Sequence, residues 1–243
     1  MTDDTAPPHS RLAKAIVLTS LALACIGFCA LGVWQVKRLA WKLDLIERVE
    51  SRIHAAAVPA PTPADWNQVS AARDEYRRVC VGGHFLEGRD TRVDALTERG
   101  AGDWILSPLQ AQGGYVVMVN RGFVPKGSEY AASPYNRPDN SRIVCGLLRI
   151  SEPKGRILRP NQPETDRWFS RDVAAIAARR GLTNVAPYFI DADLDPAAAQ
   201  WPRGGMTVVS FRNNHLQYAL TWFALALLAA FATWRFARED RKP

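Results

Sequence analysis

No charged residue occurs between Lys14 and Lys37, and none between Leu216 and Trp234. As helices these runs, Ala15–Val36 and Leu216–Trp234, extend roughly 33 Å and roughly 28 Å at about 1.5 Å per residue, close to a hydrocarbon core of about 30 Å. Two such runs at the ends of a chain of 243 residues dictate a membrane hairpin carrying a large insert. The near-neutral mean hydropathy of −0.17 is then the average of two apolar spans and a polar middle.

The first run is longer than the apolar region of a cleaved leader needs. It continues past the faintly lipoprotein-like Ala22-Leu23-Ala24-Cys25 to Trp34, so it is read as a retained span. Before it, Asp3, Asp4, Pro7 and Pro8 mark a short disordered tail and not an acid-poor transit peptide, which points to a bacterial chain. Orientation signals conflict. Lys37, Arg38 and Lys42 follow the first span, but Arg235, Arg238, Arg241 and Lys242 follow the second. A loop as long as this insert weakens the charge rule, so the C-terminal tail decides: both termini cytoplasmic, the middle outside.

Trp34, Arg38 and Trp41, then Leu45, Val49 and Ile53, continue at helical spacing beyond the first span. The helix is expected to leave the membrane and run as a stalk to about His54. Pro59, Pro61 and Pro63 then make Ala55–Ala64 an extended linker. From residue 72 short alternating runs replace helical periods. Strands are expected at Tyr76–Leu86, with a bulge at Gly82-Gly83, and at Thr91–Thr97, Trp104–Leu109, Tyr115–Arg121, Arg142–Ile150 and Gly205–Phe211. Gly113-Gly114 reads as a hairpin turn. One helix is expected with Ser170 as N-cap, Asp172 in its first turn and Gly181 at its C-terminal end. Val185–Pro196 reads as connection. The expected fold class is α+β: two transmembrane helices flanking an antiparallel β-rich extracytoplasmic domain. The expected divisions are 1–14 tail, 15–36 span, 37–71 stalk and linker, 72–212 domain, 213–234 span and 235–243 basic tail.

Residues 37–212 hold 25 Lys and Arg against 20 Asp and Glu, scattered and without aromatic interleaving. Nucleic acid is therefore not an expected partner, whereas membrane lipid is. There is no P-loop, dinucleotide fingerprint, G-x-S-x-G or H-E-x-x-H, and nothing signals catalysis. Cys25 and Cys29 lie one turn apart in the first span and read as packing residues. Cys80 and Cys145 fall on separate predicted strands, and whether they meet stays open. Asp191, Asp193 and Asp195 alternate as a cation site would, but a solvated turn before Pro196 accounts for them as well.

Asn213 or Asn214 is a natural N-cap for the second span, which puts His215 in its first turn. Tyr218, Ala219 and Trp222 follow at i+3, i+4 and i+7. The positive end of the helix dipole favours a neutral ring there, the form that takes a metal. Spacing leaves two readings: an interfacial histidine in an aromatic belt, or an axial ligand of a haem.

Four stretches carry a resemblance: Gly32-Val33-Trp34-Gln35 with Arg38 and Trp41-Lys42; Val119-Asn120-Arg121-Gly122-Phe123-Val124-Pro125; Asn161-Gln162-Pro163 with Trp168-Phe169; and Asn213-Asn214-His215-Leu216-Gln217-Tyr218-Ala219. In order and spacing they resemble the Surfeit locus protein 1 family, assembly factors of haem-copper cytochrome oxidase, from Leu31 to Trp234. Phe123 departs from the family's more frequent Trp. The resemblance implies a two-span protein of a bacterial plasma membrane or mitochondrial inner membrane, here the bacterial membrane with a periplasmic domain. It implies partners in cytochrome c oxidase subunit I and the haem a synthesis machinery, and a transiently held haem a. His215 maps onto the family's favoured iron ligand. Trp34, Tyr218 and Trp222 are then expected to wall the porphyrin, with Arg38 and Arg212 at its propionates. A scaffold that steadies subunit I without touching haem is the competing expectation, ahead of a membrane-anchored enzyme.

Overall fold

The computed structural model describes residues 11–130, 141–195, 201–207 and 213–238. The chain divides into two compact units, Met1–Glu47 with Ser210–Pro243, and Arg48–Val209.

The first unit is built from α1 (Arg11–His54) and α4 (His215–Arg238), while α2 (Ala71–Asp74) and α3 (Val173–Arg179) lie in the second unit. Both helices are long and apolar enough to cross a membrane. They pack antiparallel along a seam spaced four and three residues apart, the period of knobs-into-holes packing. On α1 the least exposed positions are Leu21, Cys25, Phe28, Gly32, Gln35 and Leu39; on α4 they are His215, Ala219, Trp222, Ala226, Ala229 and Thr233. Phe28 stacks on Trp222 with ring centroids 5.7 Å apart. The Cys25 thiol faces the Ala226 carbonyl at 3.5 Å. Gly32 is required by close approach: a Cβ there would stand 2.6 Å from the Phe223 ring. Leu23, Ile26, Leu31, Leu220, Leu227 and Phe231 point outward, as a lipid-facing surface demands.

The helical spacing of Leu45, Val49 and Ile53 holds, since α1 runs unbroken to His54. Its last turns belong to the second unit, where Val49 is buried and the Arg52 guanidinium donates to the carbonyls of Ala72 and Glu75. The proline-rich segment is extended as expected, but it is also docked. Val58–Pro59 (β1) pairs in parallel with β2 (Arg78–Phe85), and the buried Tyr188 hydroxyl donates to the Pro61 carbonyl at 2.6 Å. A short helix, α2 (Ala71–Asp74), follows.

The remaining strands are β3 (Thr91–Thr97), β4 (Gly100–Ala111), β5 (Val116–Pro125), β6 (Arg142–Ile150) and β7 (Val185–Ala192). Their order is β1-β2-β6-β7-β5-β4-β3, and a further β2–β4 pairing closes β2, β6, β7, β5 and β4 into a barrel. Most neighbours are antiparallel; β1–β2 and β5–β7 run parallel. Closure accounts for Gly82-Gly83 differently from the expected bulge. Gly83 pairs with both Ala111 and Arg142, and a Cβ on it would meet the Gln110 carbonyl at 2.2 Å. The bulge lies instead in β5 at Arg121-Gly122, where the register against β4 shifts and Gly122 takes φ +127°.

Strand β7 occupies the place of the expected connection Val185–Pro196. Pro187 cannot donate to a ladder, and it sits where the β5–β7 register slips between Val116 and Met118. Both faces of β5 and β7 are covered. Val117, Val119, Tyr188 and Ile190 fill the barrel, while Met118 and Phe189 pack outside it with Trp168, Val173 and Ile176. Those last two belong to α3 (Val173–Arg179), whose N-cap is Asp172, accepting from the Ala175 amide, and not Ser170. Ser170 locks the preceding loop, donating to the Glu152 carbonyl and accepting from Gly155 and Asn161. Gly181, at φ +61°, ends the helix as expected, with Leu182 N–H bonded back to Ala177.

Gly205–Met206–Thr207 is not strand; the rest of that expected strand lies outside the described residues. Cys80 and Cys145, opposite each other on β2 and β6, form a disulfide.

Candidate functional site

Histidine 215 is the first residue of α4, and its own N–H reaches the Asn213 side-chain carbonyl at 3.4 Å while Tyr218 N–H bonds the Asn214 carbonyl. Across the seam its Nδ1 lies 2.8 Å from the Gln35 Oε1. An amide oxygen only accepts, so in this contact Nδ1 is the donor and Nε2 takes no part in the pair. Gln35 is itself nearly buried between two apolar helices, where an unpaired amide would be costly, and His215 supplies its partner. The pair therefore holds the ring's orientation. The ring remains partly exposed, with Nε2 the nitrogen left to ligate a metal.

The other expected site residues fall in different places. Trp34 and Tyr218 are exposed by about half, on the outer surface of their helices and one step off the seam. Trp222 faces the seam and lies against Phe28. The Arg38 guanidinium lies 3.9 Å above the Trp41 ring, which leaves its polar edge outward. Arg212 lies outside the described residues. In the sequence Gln35 is one letter of a motif. Its 4-3 register with Phe28 and Gly32, and the matching register of His215, Ala219 and Trp222, was the signal that would have placed it opposite His215.

In the barrel unit, two of the motifs hold the fold together. Asn120 donates to Asp191 at 2.7 Å and accepts from Gly122 N–H. Phe123 packs edge-on against Trp104 and Trp201, a seat a phenyl ring fills. The Asn161 side-chain Oδ1 accepts from the backbone N–H groups of Phe169 and Ser170, and the buried Trp168 donates to Asp166.

Asp191 is not in a solvated turn: it is 5% exposed, near the end of β7, between Arg149 at 2.9 Å and Arg171 at 3.2 Å. Arg149 also binds Glu75, and Arg171 binds Glu152. Burial acts to lower the Arg149 pKa, but Asp191 and Glu75 more than offset it and hold the guanidinium charged. Burial likewise pushes Glu152 up, and Arg171 reverses this, leaving its carboxyl below the ordinary range. The network lines a cleft of about 460 Å³ together with Tyr76, Leu96, Trp104 and Thr207. Two guanidinium groups face three carboxylates here, each charge paired, and the network ties β6 and β7 to the segments that carry Glu75 and Arg171. Asp193 and Asp195 pair with Arg78 and Arg142, so the aspartate alternation is spent on ion pairs.

Comparison with known proteins gives one consistent answer. The model of the SURF1 family matches residues 22–227. Surfeit locus protein 1 of Rattus norvegicus is 35% identical over 227 residues, covering 84% of this chain and 70% of the rat protein. The Homo sapiens protein of the same name is 35% identical over 230 residues, with 87% and 74% covered. A SURF1-like protein of Monosiga brevicollis is 31% identical over 255 residues, 98% of this chain and 93% of that one.

Proposed function

The chain belongs to the SURF1 family, and from that membership we propose that it is an assembly factor of haem-copper cytochrome c oxidase, holding haem a for subunit I through His215. The observation that carries the reading is the Gln35–His215 hydrogen bond, which engages Nδ1 and leaves Nε2 for a ligand at the start of a membrane-length helix. The residues present fit such a group. The partly exposed imidazole would hold the iron through Nε2, and the exposed rings of Trp34 and Tyr218 would offer apolar faces to the porphyrin. When bound, the haem iron supplies the coordination that anchors the group to the protein. Gln35 holds the ring against rotation, Arg38 offers a guanidinium edge to propionates, and Arg212 is proposed for the same task. Trp222, stacked on Phe28, keeps the helix spacing that sets His215 opposite Gln35.

The Cys80–Cys145 disulfide supports a barrel unit outside the cytoplasm, in an oxidising compartment, and the basic C-terminal tail supports the same orientation. The acidic, proline-containing N-terminal tail points to a bacterial chain, and we propose a bacterial plasma membrane with the barrel periplasmic.

The test is oxidase maturation. Cells lacking this protein are complemented with wild type or His215→Ala at matched membrane levels, and the haem a content of purified subunit I is measured. A several-fold fall in haem a per subunit, with subunit I still present, is the expected result. Full haem a content with the variant would leave the family role to a scaffold that never touches haem.

A further inference from the structure

Among the described residues of the barrel unit, the loop after β6 carries the most exposed large apolar pair, Ile157 at 93% and Leu158 at 95%. The two residues form the tip of a turn closed by Arg156 N–H to the Arg159 carbonyl at 2.9 Å and Arg159 N–H to the Arg156 carbonyl at 3.0 Å. Leu158 takes φ +67°, the second central position of a turn that glycine or asparagine would occupy without strain. A leucine there adds nothing to the core and works against the local backbone. Folding does not account for it.

Basic residues surround the tip. Lys154, Arg156, Arg159 and Arg167 are all exposed. Arg156 is tied back to Asp94, through its carboxylate at 3.4 Å and its carbonyl at 2.8 Å, which braces the turn against β3. Arg159 and Arg167 each lie 5.8 Å from the Phe169 ring centroid. The turn is thus a braced apolar point inside a cationic collar. That combination fits a surface that is anionic at its face and hydrocarbon beneath. The same chain carries two helices long enough to cross a membrane, so a lipid surface is an available partner.

We propose that the Arg156–Arg159 turn inserts into the anionic lipid interface, Ile157 and Leu158 entering the acyl boundary while Lys154, Arg159 and Arg167 meet headgroup phosphates. The contact is a third membrane attachment for the barrel unit, independent of the haem reading.

A probe at the tip tests this in the full chain. Cys25→Ala and Cys29→Ala remove the free thiols, and Leu158→Cys is labelled with an environment-sensitive nitrobenzoxadiazole dye; Cys80 and Cys145 are spent on their bridge. The protein is placed in nanodiscs of equal phosphatidylcholine and phosphatidylglycerol. A parallel probe at the exposed Glu164→Cys reports a water-facing loop. The Leu158→Cys probe is expected to be blue-shifted and quenched several-fold more by spin-labelled lipid than the Glu164→Cys probe. That difference is expected to shrink several-fold in phosphatidylcholine alone, and likewise with Lys154→Gln and Arg159→Gln. Equal quenching of both probes by aqueous iodide, with none by spin-labelled lipid, would overturn the proposal. So would protection of the tip only when subunit I is added, since the turn would then be a protein-docking point.

Discussion

At the residue scale, polar groups buried among apolar ones are explained by their partners. Gln35 sits in a helix seam because its amide oxygen accepts from His215, and Asp191 sits under a strand end because Asn120, Arg149 and Arg171 surround it. Glu152 belongs to the same network and turns it into a pH-dependent contribution. Its folded carboxyl titrates below the ordinary glutamate value, so the unfolded chain binds the proton more readily. The stabilisation is present above the unfolded value of about 4.3 and is lost as pH falls through the lower folded value. Acid unfolding curves should therefore show wild type losing stability below about pH 4.3, with Glu152→Gln flattening that slope. An unchanged slope in the variant would assign the acid sensitivity to other carboxylates. The legibility of single residues followed the range of their contacts. His215 at a helix start and Gly181 at a helix end were readable from neighbours in the chain. Gln35 and Asp191 were not, because their partners lie across a seam or a sheet.

At the element scale, the period of the sequence served well where one face was buried and poorly where two were. The stalk end at His54 and the strands Thr91–Thr97 and Arg142–Ile150 appear where their patterns place them. Strand β7 was hidden because its two covered faces erase alternation and Pro187 imitates a break. Barrel closure was equally hidden, since the β2–β4 pairing depends on a glycine crossing that reads locally as a bulge. The cysteines illustrate the same limit: separate strands were readable, adjacency was not. The bridge spans 65 residues of sequence, and removing such a crosslink typically costs about 2–4 kcal/mol. Cys80→Ser with Cys145→Ser is expected to fold, because the barrel core of Val79, Leu109, Val117 and Tyr188 stays intact. Chemical denaturation should give a lower midpoint by that amount, matched by reduced wild type. Failure of the double variant to fold at all would make the bridge a condition of folding and not an increment to stability.

At the scale of the whole molecule, two membrane-length helices bracket a closed, disulfide-linked barrel, and the haem reading rests on one imidazole at the start of the second helix. Apolar contact can retain some porphyrin without any ligand, so total haem is a poor measure of that claim. Axial coordination is the direct one, because alanine offers no donor atom. The decisive measurement is the absorption spectrum of the full-length protein purified from cells that make haem a, wild type beside His215→Ala and Gln35→Leu. The account predicts a Soret band and reduced α-band characteristic of histidine ligation in wild type. His215→Ala should give the spectrum of a ligand-deficient haem, and Gln35→Leu a weakened or mixed form, since its imidazole is present but no longer held. A His215→Ala spectrum indistinguishable from wild type would contradict the assignment of His215 as the iron ligand.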